Sequence, residues 1–188
     1  MYTELEFVND FIRAYPGYDR SDRSARAIKI CYETYLNSSR AQLGSLVVGR
    51  IVRPPVAGAP PVIGLDDIER INFGTSSDRS PGSVLWSKYW SIPLNDSWLM
   101  GGIHARLPFY LASPRTKANV VDPAFGFTVT GRELIGLTTF GYQVNPNTRL
   151  GEVFECKAAG KATNATFMQY EAAVRDAKSR GDWSKLVS

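Results

Sequence analysis

Residues 151–181 read GEVFECKAAGKATNATFMQYEAAVRDAKSRG, and their apolar spacing predicts a strand, a turn and a helix. Val153, Phe154 and Cys156 are β-formers, bounded by Gly151 before them and by Ala158, Ala159 and Gly160 after. Side chains alternate across a strand, so Glu155 and Lys157 share one face while Phe154 and Cys156 share the other. Further on, Phe167, Tyr170, Val174 and Ala177 recur at three- and four-residue intervals and form one apolar stripe of a helix. Thr163 or Asn164 is the expected cap of that helix, and Gly181, after Lys178 and Arg180, its expected end.

Working outward, the N-terminal part predicts two more helices. Leu5, Val8, Phe11, Ile12 and Tyr15 lie at helical spacing over residues 3–14, with Thr3 and Glu6 in a capping-box pattern and Pro16-Gly17 as terminator. A second stripe, Ala25, Ile28, Cys31, Tyr32 and Tyr35, predicts a helix over 22–36. Residues 42–52, rich in Leu and Val, read as a strand, and the proline-rich 53–62 as an extended loop. The aromatic centre, with Trp86, Tyr89, Trp90 and, after an Asn95-Asp96 turn, Trp98, is expected to form strands joined by tight turns, placing His104 on a strand. Residues 125–130 are a further strand candidate, and 132–140 a short helix preceded by a Thr-Gly-Arg turn. The fold class expected is α+β or α/β: N-terminal helices, a central mixed sheet with aromatic-rich strands, and a C-terminal strand followed by a helix. A chain of 188 residues fits a single domain spanning 1–188.

Composition narrows the function classes. Hydrophobic residues at 44% and charged residues at 21% suit a globular protein, and no apolar run is long enough to span a membrane. The acidic start, Met1 to Glu6, lacks the basic head and apolar centre of a signal peptide. The expected location is therefore cytoplasmic as synthesised, although leaderless export would leave no mark. A net charge of +4 is compatible with an anionic partner. Two cysteines and one histidine, not clustered, argue against a structural zinc site. There is no P-loop, no Rossmann glycine fingerprint and no Gly-x-Ser-x-Gly elbow.

With Glu155-Cys156-Lys157 on a strand and Gln169 on the helix that follows, the last forty or so residues resemble the second half of the PD-(D/E)xK motif of the restriction-endonuclease-like nuclease superfamily. The resemblance implies a magnesium-dependent nuclease acting on nucleic-acid phosphodiesters, in which Glu155 helps hold the cation, Lys157 orients water or phosphate, and Gln169 belongs to the catalytic set. Hard oxygen ligands suit magnesium, and metal-bound water is a better nucleophile. The family's preceding Asp is missing from residues 141–150, where Asn145 stands about where it is expected, so Asp122 or Glu133 would complete the metal ligands. Arg20, Arg23, Arg26, Lys161 and Arg175 would supply nucleic-acid backbone contacts, although a solvated basic face is the bland account of the arginine cluster. Small members of this superfamily often act as toxin domains between bacteria, which implies an effector with a cognate immunity protein as partner.

Two readings from other classes compete. One is a non-catalytic interaction module, an immunity or adaptor protein, that presents Trp86, Trp90 and Trp98 on its surface. The other is a papain-like cysteine hydrolase with Cys31 as nucleophile and His104 as base, although a mid-helix cysteine in an apolar stripe is expected to be buried and unreactive.

Overall fold

The computed structural model describes residues 3–18, 28–29, 31–32, 34–35, 92–124, 126–145 and 152–188, together with the backbone of 45–48 and 62–63. Its architecture is α+β. Helix α1 spans Glu4–Ala14, and its start is fixed as the sequence predicts: the Thr3 hydroxyl accepts from the Glu6 amide while the Glu6 carboxylate accepts from the Thr3 amide. Phe7 and Phe11 on its inner face are fully buried. The described residues between 28 and 35 are helical, with Ile28 and Cys31 buried, as the second stripe requires.

One five-stranded sheet carries the core. Strands β1 (Ser45–Val48), β2 (Val62–Ile63), β3 (Phe109–Leu111), β6 (Tyr142–Asn145) and β7 (Val153–Cys156) are arranged in the order β2-β1-β3-β7-β6. The sheet is mixed: β1 runs parallel to β2 and β3, whereas β7 runs antiparallel to both β3 and β6. Phe109 lies opposite Phe154, and Val144 opposite the same Phe154, so Phe109, Phe154 and Tyr142 share one face and are all buried there. A separate two-stranded ribbon pairs β4 (Val121–Asp122) with β5 (Gly126–Phe127).

The central segment corrects the sequence expectation. Residues Ile92–His104 form helix α2 rather than strands and a turn; Asn95-Asp96 lies inside it, and His104 is its last residue, not a strand residue. The helix is buried all round apart from Ile92, so it carries no amphipathic period to betray it. One of its interior glycines is explained by packing: a Cβ on Gly101 would sit 2.3 Å from the Cys31 carbonyl oxygen. Tertiary contact here overrides the poor helix propensity of glycine.

Helix α3 (Lys117–Val120) precedes the ribbon, and α4 (Val129–Thr139) follows it. Helix α4 begins three residues earlier than the sequence suggests, because the Thr128 hydroxyl caps it through the Gly131 amide. The Thr-Gly-Arg segment read as a turn is thus its first turn, and the strand expected over 125–130 shrinks to Gly126–Phe127. After β7 a short helix α5 (Ala159–Thr163) intervenes, so the long C-terminal helix α6 is Phe167–Arg180, capped by Thr166 rather than Thr163 or Asn164. It ends at Gly181, left-handed with φ 61°, as the sequence predicts. Helix α6 packs against α1 and α4, and the Asp10 carboxylate of α1 accepts from the Phe167 amide at 2.6 Å. The expected loop at 53–62 and the aromatic strands at 84–91 lie outside the described residues.

Candidate functional site

The outer face of the β6–β7 hairpin holds the pair singled out by the sequence. Register places Gln143 opposite Glu155 and Asn145 opposite Val153, so Gln143, Asn145 and Glu155 share a face. The Lys157 ammonium donates to the Glu155 carboxylate at 2.7 Å, and both side chains are exposed, at 50% and 36%. The hydrogen bond from Lys157, then one from the Asn145 side chain, hold the Glu155 carboxyl below its ordinary range. Asn145 thus meets Glu155 across the hairpin.

The remaining members of the expected set are held elsewhere. Glu133 is buried within α4, where its carboxylate accepts from Asn95 Nδ2 at 3.1 Å. Asp122 accepts from the Ala124 amide at 2.8 Å, closing the β4–β5 turn. Gln169 is the N3 residue of the α6 capping box: its Oε1 accepts from the Thr166 amide at 3.0 Å, and its own amide donates to the Thr166 hydroxyl. Lys161 on α5 and Arg175 on α6 are exposed. Arg20, Arg23 and Arg26 lie outside the described residues.

The expected magnesium ligands do not come together among the described residues. Magnesium takes an octahedral oxygen set, yet among the described residues no three Asp, Glu, His or Cys side chains gather to hold a metal. Asp122 and Glu133 therefore do not complete a ligand set around Glu155.

The geometry of Cys31 and His104 suits a core. Cys31 is fully buried, and burial raises its thiol pKa, the direction opposite to nucleophile activation. His104 packs edge-on against Phe7 and Tyr35, and its Nε2 lies 2.8 Å from the Ala165 carbonyl oxygen. Burial depresses its pKa to about 4. Trp98, needed on the surface by the interaction-module reading, is 1% exposed; Trp86 and Trp90 lie outside the described residues.

A second polar assembly, buried between helices, escaped the sequence reading. Asp96 on α2, fully buried, accepts from Arg132 Nε at 3.0 Å and Nη2 at 2.6 Å, and from the Tyr15 hydroxyl at 2.5 Å. Arg132 also reaches Glu171 on α6 and lies 5.1 Å from the centre of the Tyr170 ring, whose hydroxyl donates to the Arg132 carbonyl at 2.9 Å. Burial alone would lower the Arg132 pKa, but the hydrogen bonds and charge of Asp96 more than offset that and raise it. One step away, Asn95 bonds Glu133, so neighbouring residues of α2 meet neighbouring residues of α4. The partners of Asp96 stand 81 and 36 residues away, and no local motif announces such pairs.

Comparison of the chain with models of known protein families, with curated proteins and with solved structures finds no match in any of the three.

Proposed function

We propose that this chain acts on nucleic acid as a nuclease-like protein, with the outer face of the β6–β7 hairpin meeting the phosphodiester. The observation that carries the reading is the exposed Glu155–Lys157 pair at 2.7 Å, joined by Asn145, which stands about where the resembled family's Asp is expected. In this reading a phosphate oxygen takes the place of Glu155 on the Lys157 ammonium, and the released carboxylate orients the attacking water. The Glu155 carboxyl, held below its ordinary range, is ionised at neutral pH, as this role requires. Lys161 and Arg175 add sequence-independent backbone contacts, so binding weakens steeply with salt.

The test is incubation of the purified protein with plasmid DNA and with RNA, in magnesium or in EDTA, beside Glu155→Ala and Lys157→Ala. Cleavage that falls by about a hundredfold in both variants supports the assignment. Cleavage that survives both substitutions sinks it, and the absence of cleavage under every condition overturns the nuclease reading. The EDTA arm reads directly whether a metal brought with the substrate takes part.

A further inference from the structure

We infer that Gly141 is a positioning residue for the Glu155–Lys157 pair, setting where Lys157 stands through a contact that tolerates no side chain. The inference rests on reading that pair as the functional face. Gly141 links α4 to β6 in a left-handed conformation, φ 84°. Its carbonyl accepts from the Lys157 amide at 2.9 Å, which ties the end of β7 to the start of β6 one residue beyond the ladder. Immediately after Lys157, the Ala158 Cβ comes so close that a Cβ on Gly141 would sit 2.5 Å from it. Neither of these carbons can rotate out of the way, since both are fixed to the backbone. Any side chain at 141 therefore pushes the 157–158 backbone outward and lengthens the bond that fixes Lys157. Glu155, inside the ladder and opposite Gln143, stays where it is. The sequence marks the position only as a glycine after a helix; the contact with Ala158 gives it a role at the site.

The experiment compares Gly141→Ala, Ala158→Gly and the double variant with the parent chain, reading amide hydrogen exchange residue by residue and nucleic-acid cleavage. Gly141→Ala is expected to speed exchange at Lys157 by about tenfold or more while Phe154 and Val144 keep their protection, and to cut cleavage by about tenfold. Removing the Ala158 methyl in the double variant removes the collision but not the positive φ. It is expected to return Lys157 exchange and cleavage to within about threefold of the parent. If Gly141→Ala folds and leaves Lys157 exchange unchanged, the inference is overturned. If Gly141→Ala fails to fold, a double variant that folds with Lys157 protected supports the contact, and one that also fails overturns it. Should the parent chain cleave nothing, the nuclease reading falls, while the exchange data and the rescue still decide whether Gly141 positions Lys157.

Discussion

Replacing Asp96 by Asn keeps the shape of a fully buried side chain and removes its charge, leaving Arg132 to face an amide. Breaking a buried ion pair from one side costs about 3–5 kcal/mol, because the surviving charge stays desolvated. The low end applies here, since Arg132 keeps Glu171, which is itself 23% exposed, and the Tyr15 hydroxyl can still donate to the amide oxygen. The expected loss is about 3 kcal/mol, a fall in melting temperature of roughly 6–12 °C for a chain of this length. Arg132→Met, which leaves the Asp96 carboxylate with tyrosine hydroxyls, Tyr15 and Tyr170, in place of its charge partner, is expected to cost about 4 kcal/mol. The double variant Asp96→Leu with Arg132→Met removes both charges together. What it loses is the acceptor of Tyr15, about 1–2 kcal/mol, the contact of Arg132 with Tyr170, about 0.5–1 kcal/mol, and the pair of Arg132 with Glu171, which Arg132→Met alone loses as well. It should therefore be more stable than Arg132→Met alone. Urea unfolding of the parent chain, of Asp96→Leu alone, of Arg132→Met alone and of the double variant at neutral pH gives the cycle. If the double variant loses as much as its two singles together, the two side chains act independently and the account of a single coupled assembly is refuted.

His104 makes stability depend on acid. Its pKa is depressed to about 4 in the folded chain from an ordinary 6.5, so between those values the unfolded chain binds more protons. Stability is then full above about pH 6.5 and is lost as pH falls towards 4, by about 3 kcal/mol in all; urea midpoints for His104→Gln should show a flatter slope in that window. Tyr142 has a buried hydroxyl with no hydrogen-bond partner among the described residues, and burial raises its pKa. Tyr142→Phe should therefore be neutral or stabilising by up to about 1 kcal/mol, and a thermal-melt loss above about 2 kcal/mol would reveal a partner. Gln169→Ala should cost about 0.5–1 kcal/mol of stability through the α6 cap and leave nucleic-acid cleavage unchanged; a selective loss of cleavage would restore Gln169 to the catalytic set.

The helices whose burial is one-sided were legible. In α1, Phe7 and Phe11 lie inward and the Thr3–Glu6 box marks the start, so periodicity and capping give the same answer. The Thr166–Gln169 box marks the start of α6 just as locally, whereas Thr163 lies where a shorter helix ends. Helix α2 was hidden for a physical reason: a segment enclosed on every side has no polar face to set a period. Asn95-Asp96, a common turn signal, is drawn into it by Glu133 and Arg132, whose presence nothing local predicts. The site shows the same division. Alternation along one strand suffices to place Glu155 and Lys157 together, whereas only residue type points to Asp122 and Glu133, which have other partners.

The two polar assemblies differ in what they leave free. An ionised carboxylate offers about four lone-pair directions, and those of Asp96 are taken by Arg132 and Tyr15 with no solvent reaching them. A ligand could enter there only by separating α1, α2, α4 and α6, which is why this assembly is read as part of the fold. The Glu155–Lys157 pair stands on the surface, where water can replace either partner at little cost and side-chain entropy opposes the bond. A weak, solvated pair is a poor device for holding a sheet together, and Phe109, Phe154 and Tyr142 already do that on the other face. It is a suitable device for a group that must leave one partner and take another, provided the backbone beneath it does not move. The bond from the Lys157 amide to Gly141 and the close fit of Ala158 against that glycine hold the backbone beneath Lys157 in place.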